Sequence, residues 1–262
     1  MEYVYLIMVA TIALVQCIIC YDEKEIKIIL GSSSSARKQL LDTTGIDYIS
    51  ISPDIDEKAI WNENTEKLVI EIAKSKTIVN DNPEQLVIEI AKAKTKALKD
   101  KLAGQDCILI TADQIVLTDK VLGKPANIKE AKQFLKSYSN SIVKTITGLV
   151  VTNMFTGKST YQVDISTIYF DEITKEDIDK TCIPEMPINI LEKTSNFFFL
   201  PIYIPLKKEI IKYQPVNIME CCGGLAIDHP VLYKKIRKIE GSYSSILGLP
   251  LKVLMELISE VM

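Results

Sequence analysis

From Lys27 onward the apolar residues fall in short bounded runs whose spacing alternates between strand and helix periods. Lys27 to Leu30 (KIIL) reads as a short buried strand that runs into Gly31-Ser32-Ser33-Ser34-Ser35. Ala36 to Leu41 then reads as a helix stopped near Gly45, and Tyr48 to Pro53 as extended chain followed by Asp54-Ile55-Asp56-Glu57. The heptapeptide LVIEIAK occurs at Leu68–Lys74 and again at Leu86–Lys92, with Pro83 between the copies. The second copy has the better helix start, with Asn82 placed to cap and Pro83 at the first helical position. Its apolar stripe is Val87, Ala91 and Leu98, and Lys94 falls on that stripe, whereas Lys92, Lys96 and Lys99 lie opposite.

Cys107 to Thr111 predicts a buried strand ended by Ala112-Asp113-Gln114, with a second apolar run from Ile115 to Leu117. Asn127 and Glu130 open a helix whose buried face is Ala131, Phe134, Leu135 and Tyr138. Thr145–Thr152 and Lys158–Phe170 predict a hairpin turning at Asn153 to Gly157, and the alternation of Tyr161, Val163, Ile165, Thr167 and Tyr169 predicts a sheet covered on one face. Thr174 opens a short polar helix with Asp177 at its third position. Ile183 to Met219 keeps no period and holds five prolines, so it reads as an insertion, either a flap or a loop. Order returns at Cys221-Cys222-Gly223-Gly224 and passes through Asp228-His229-Pro230 into a strand-like stretch to Ile239. Pro250 then starts a last helix with Val253, Leu254, Leu257, Ile258 and Val261 on one side.

Composition narrows the functions this pattern could serve. At 262 residues with 47% hydrophobic content, the chain can bury a substantial core in one large or two small domains. A net charge of −3 provides no general basic surface for nucleic acid. The single histidine, His229, excludes multi-histidine metal centres, and six cysteines in this length read as reduced thiols rather than a disulfide scaffold. Tyr3 to Cys20 is an uncharged apolar stretch at the lower limit of a spanning helix, without a basic segment before it. A signal peptide or anchor, a buried extension and a mispredicted start all fit residues 1–24. The expected organisation is therefore an apolar leader over 1–24 and one domain over 25–262, with an insertion at about 183–219. The domain over 25–262 is expected in the cytoplasm unless residues 3–20 act as a secretory or membrane signal.

Several positions carry candidate chemistry. Strand, serine loop and helix start together suit an anion, because free N–H groups, hydroxyls and the helix dipole converge there. Arg37 in the first helical turn opposes that dipole unless a phosphate sits nearby; a serine cap with a solvated arginine is the plainer alternative. The Asp54–Glu57 carboxylates fit a hard cation or a solvated loop. A carboxylate planted where a hydrophobic strand ends is costly unless paired or coordinated, which singles out Asp113 against the reading of a turn aspartate. Lys94 either snorkels or holds an anion, with Lys76 in the matching place of the first copy.

Taken in order, these segments resemble the Maf family of nucleoside-triphosphate pyrophosphatases, in its plant-type branch. The matching segments are ILGSSSSARKQLL (Ile29 to Leu41), DIDE (Asp54 to Glu57), NPEQLVIEIAKAKTKAL (Asn82 to Leu98) and TADQIVL (Thr111 to Leu117). GKP (Gly123 to Pro125), TGLVVTN (Thr147 to Asn153), GGLAIDHP (Gly223 to Pro230) and IEGSY with GLP (Ile239 to Pro250) complete the set. The resemblance implies an α/β, ITPase-like fold: a mixed sheet with flanking helices, an elongated cleft and a homodimeric assembly. It also implies hydrolysis of a nucleoside triphosphate to the monophosphate and diphosphate with a divalent cation, Mg²⁺ or Mn²⁺.

Carried over position by position, Ser32, Ser34 and Arg37 would grip phosphate, and Lys94 and Lys124 would neutralise it. Glu57 and Asp113 would hold the metal, and Asp113 would orient the attacking water. Gln114 with Asp228 resembles the 7-methyl-GTP group rather than the dTTP/UTP group, the physical idea being that both could pair with the donor edge of guanine. The alternatives are a dTTP/UTP enzyme and a catalytically silent nucleotide-binding regulator of division and septum formation. The chain departs from the family pattern in having one clearly placed arginine after the serine loop, and in its leader and insertion.

Overall fold

A computed structural model describes residues 26–55, 82–183 and 217–262. The leader, the first LVIEIAK copy and nearly all of the 183–219 segment lie outside the described residues. Strands β1 (Lys27–Gly31), β2 (Tyr48–Ser50), β3 (Cys107–Leu117), β4 (Val121–Leu122), β5 (Ile142–Asn153), β6 (Ser159–Phe170) and β7 (Ile236–Glu240) form a mixed sheet in the order β2-β1-β3-β5-β6-β7, with β4 on β3. β1 runs parallel to β2 and β3, while β5 runs antiparallel to β3. The flanking helices are α1 (Ser35–Asp42), α2 (Asn82–Lys99), α3 (Ile128–Tyr138), α4 (Lys175–Thr181), α5 (Pro230–Tyr233), α6 (Tyr243–Ile246) and α7 (Leu251–Val261). This is the expected α/β mixed sheet.

The chain divides into two compact units. The first takes the described parts of Met1–Val121 with Lys144–Thr167 and Ile239–Met262. Its core lies on both faces of the sheet because strand side chains alternate. Ile28, Leu30, Ile108, Ile110, Leu149 and Val151 meet Leu40 and Leu41 of α1 and the apolar stripe of α7. On the other face Ile29 and Leu109 pack on Leu98, while Ile115 and Ile146 pack on Leu86, Val87 and Ile90 of α2.

The second unit comprises Leu122–Val143 and the described parts of Ile168–Lys238. There α3 buries Ala131, Phe134, Leu135 and Tyr138, and Tyr138 stacks on Phe170 at 5.8 Å. The Tyr138 hydroxyl donates to the Gly223 carbonyl at 2.6 Å, which gives the one polar atom of a buried ring its partner. Thr174 and Asp177 close a reciprocal cap on α4, and the Lys235 ammonium lies 2.9 Å from Asp177. Burial alone would raise the Asp177 pKa, but hydrogen bonds from Lys235 and Thr174 bring it down to about 2.

Three local expectations are corrected. The strand through Cys107 does not end at Asp113 but runs unbroken to Leu117, with Asp113 paired to Gly148 of β5. His229-Pro230 does not lead directly into a strand. His229 caps the short helix α5 through its ring nitrogen, with Pro230 at the helix start, and the strand begins only at Ile236. In β6 one face is covered, yet the buried set is Ser166, Ile168 and Phe170, whereas Tyr161 and Ile165 are exposed.

Candidate active site

Asp113 and Lys94 meet in the interior of the first unit. Lys94 lies on the α2 stripe with Ala91 and Leu98, and only 4% of it is exposed, so its ammonium does not snorkel to water. It donates to Asp113 Oδ1 at 2.8 Å and to the Ala112 carbonyl at 3.2 Å. Asp113, exposed by 8%, gains the opposite charge that a carboxylate in an apolar strand requires. Thr111, two residues earlier on the same face, donates to the Ala91 carbonyl at 2.9 Å and sits 2.7 Å from the Thr95 hydroxyl. These bonds fix α2 against β3 one turn from Lys94.

Close approach of α2 depends on Gly148, the residue paired with Asp113. A Cβ there would come within 2.8 Å of the Val87 carbonyl carbon and 2.9 Å of the Ile88 nitrogen, both backbone atoms. The signal available in the sequence was an isolated glycine inside an apolar strand, which marks close backbone approach.

The serine loop sits where β1 ends. Gly31 pairs with Thr111, so Ser32 leaves the sheet beside Ala112 while β3 continues. This is the carboxyl end of a parallel strand, where open α/β sheets place their ligands. Ser34 caps α1 by accepting from the Arg37 amide, and Ser32 is buried with its hydroxyl accepting from the Ser34 amide at 3.2 Å. Arg37 does not extend into solvent. It is buried, with Nε donating to the Gly248 carbonyl at 2.7 Å and Nη1 to Ser32 Oγ at 3.3 Å. Ser50 of β2 donates to the Ser32 carbonyl at 2.8 Å and braces the loop from the neighbouring strand.

Gln114 faces away from Asp113, as consecutive strand residues must. Its Nε2 lies 2.8 Å from the Ser245 carbonyl, 3.0 Å from that of Ile246 and 3.1 Å from Thr147 Oγ1. The amide expected to meet a base is therefore engaged with main chain on the opposite side of the sheet.

In the second unit Lys124 is exposed beside Gly123, whose carbonyl accepts from the Gly223 amide at 2.7 Å. Asp228 is half-buried. Both charges act on Cys221. Desolvation and the Asp228 and Glu220 carboxylates push its thiol up to about 12 against the opposing pull of Lys124. Such a thiol is inert near neutral pH.

Glu57 and Lys76 lie outside the described residues. Among the described residues no group of three histidines, cysteines or carboxylates could hold a metal, and no helix is long and apolar enough to cross a membrane. Asp54, at the end of the extended stretch after β2, is exposed with φ of 47°.

A family model described as Maf-like protein matches residues 27–189 and 205–261, which includes the serine loop, Lys94, Asp113 and Asp228. The chain belongs to the Maf family. Among similar proteins, a 7-methyl-GTP pyrophosphatase of Dictyostelium discoideum is 30% identical over 89% of this chain and 96% of the relative. A dTTP/UTP pyrophosphatase of Alkaliphilus oremlandii is 31% identical over 86% of the chain and 91% of its own length. A 7-methyl-GTP pyrophosphatase of Idiomarina loihiensis is 31% identical over 62% and 73% respectively. The two base preferences thus occur at almost equal identity, so overall similarity does not separate them.

Proposed function

We propose that this chain hydrolyses a nucleoside triphosphate between its α and β phosphates, giving the monophosphate and diphosphate, with a preference of the 7-methyl-GTP type. The observation that carries this reading is the buried Lys94–Asp113 pair at the level of the sheet where the serine loop leaves β1. A water oxygen attacks the α phosphorus, the bond to the bridging oxygen breaks, and diphosphate leaves. Asp113 orients that water, and Lys94 neutralises charge on the phosphate chain while holding the carboxylate in place. Ser32, Ser34 and Arg37 grip the phosphates from the serine loop, and Lys124 from the turn before Pro125.

One buried hard carboxylate fits Mg²⁺ or Mn²⁺, ions commonly held by one or two carboxylates with substrate phosphates supplying further oxygens. Glu57 is the second carboxylate in this proposal. When bound, the cation polarises the phosphoryl oxygens. Asp228, a hydrogen-bond acceptor, suits the donor edge of guanine and supports the 7-methyl-GTP preference. The dTTP/UTP alternative is supported by relatives of equal identity.

The deciding experiment is a nucleotide panel on the full chain with Mg²⁺ or Mn²⁺, read as diphosphate release, with Asp113→Asn beside it. Diphosphate from a methylated guanine nucleotide, lost in Asp113→Asn, is the expected result. Undiminished hydrolysis by Asp113→Asn would overturn the assignment. Retained nucleotide binding with no hydrolysis by the unaltered chain would favour a silent regulator. Homodimer formation and a cytoplasmic location remain part of the proposal and are tested by light scattering and fractionation.

A further inference from the structure

The Ser245–Gly248 turn holds two side chains that the sequence assigned to different tasks. Ser245 and Ile246 present their carbonyls to Gln114 Nε2, and Ser245 also accepts from the Thr147 hydroxyl and the Gly248 amide. Gly248 presents its own carbonyl to Arg37 Nε, and Nη1 of the same guanidinium reaches Ser32 in the phosphate loop. A Cβ added to Gly248 would lie 3.2 Å from Gln114 Oε1, 3.4 Å from Arg37 Nε and 3.5 Å from Arg37 Nη2. Both side chains therefore pack against one point of the turn. The glycine has a φ of 93°, which other residues rarely adopt, so the turn is specified by sequence as well as by its hydrogen bonds.

We propose that Gln114 is a positioning residue that sets the Arg37 guanidinium through the Ser245–Gly248 turn, and that it does not read the base. The physical basis is the geometry of β3. Asp113 faces α2 and Lys94, so Gln114 faces the α1 and α7 side, where Arg37 lies. A guanidinium has a rigid fork of donors, and fixing Nε and Nη1 fixes the plane in which the remaining donors can meet phosphate. The assignment rests on the proposed triphosphate chemistry, and its consequence is that loss of the Gln114 amide must weaken all triphosphates alike, whatever base they carry.

Inorganic tripolyphosphate, which carries no base, separates the two roles. The full chain, Gln114→Met, Arg37→Ala and the double variant are titrated with tripolyphosphate and Mg²⁺, and kcat/KM is measured for GTP and UTP. The expected result is a loss of about tenfold in tripolyphosphate affinity for Gln114→Met, the scale of a misaligned charge-assisted contact, with an unchanged GTP to UTP ratio. In the Arg37→Ala background the Gln114 change should add less than about twofold, because coupled residues are not additive. Gly248→Ala, which disturbs the turn that both side chains share, should give the same base-independent loss and guards against a folding defect particular to Gln114→Met.

An altered GTP to UTP ratio with tripolyphosphate affinity intact would overturn the proposal, as would multiplicative effects in the double variant or no tripolyphosphate binding by the unaltered chain. If the unaltered chain binds tripolyphosphate yet hydrolyses no nucleotide, the pyrophosphatase reading fails while the binding cycle still decides the role of Gln114.

Discussion

Replacing Lys94 by methionine would leave the Asp113 carboxylate, 8% exposed, without the ammonium that lies 2.8 Å away. At that separation, an effective dielectric of 20 gives a Coulomb attraction of about 6 kcal/mol, most of it offset in the intact protein by the cost of removing both ions from water. The offset does not apply when one partner is removed. The remaining charge keeps its desolvation cost and loses its attraction, which typically destabilises by about 3–5 kcal/mol. For a chain of this size each kcal/mol lowers Tm by roughly 2–4 °C, so a fall of about 6–20 °C is expected by scanning calorimetry or circular dichroism. Asp113→Leu should cost a similar amount by stranding the ammonium. The double variant Lys94→Met/Asp113→Leu replaces the whole pair with apolar atoms and should recover most of the loss, while remaining inactive. Single-variant costs below about 1 kcal/mol, or a double-variant cost equal to their sum, would refute the buried-pair reasoning.

Gly148→Ala forces its new methyl against the backbone of Val87 and Ile88, and should destabilise by about 1–3 kcal/mol in urea unfolding. A neutral result would mean that α2 moves away from the sheet at no cost. His229 is the sole histidine, and burial holds its pKa below the ordinary 6.5. Its neutral form is favoured by folding, so its contribution is complete above pH 6.5 and declines as the pH falls below that value, where the unfolded chain binds the proton more readily. His229→Gln should flatten the stability profile below about pH 6.5, and an unchanged slope there would show that the imidazole is not responsible.

Much of the first unit was legible because periodicity and charge gave the same answer. Lys94 on an apolar helical stripe and Asp113 at the close of an apolar run each violated the local pattern, and the fold joins the two violations in one ion pair. Strand continuity through Asp113 was not legible, since an isolated carboxylate argues against a buried strand until its partner is known. The role of Gln114 was hidden for a related reason. Besides Thr147, its partners include backbone carbonyls about 130 residues further along the chain, and no side-chain pattern announces those. In β6 the apolar stripe of Tyr161, Val163 and Ile165 looked like the covered face, but burial of Ser166 beside Ser242 and of Ile168 and Phe170 decided otherwise. The expected pairing of Glu57 with Asp113 involves a residue outside the described chain, and it stands as a proposal.

Asp113 and Gln114 are adjacent in sequence but serve opposite sides of one strand. This makes β3 sensitive to length in a way that its composition does not reveal. Deleting one residue between Cys107 and Ala112 would reverse the alternation, turning the carboxylate toward the Ser245 and Ile246 carbonyls and the amide toward the Lys94 ammonium. Conservative substitutions along that stretch are tolerable as packing changes, whereas any insertion or deletion of odd length would disable both groups in one event.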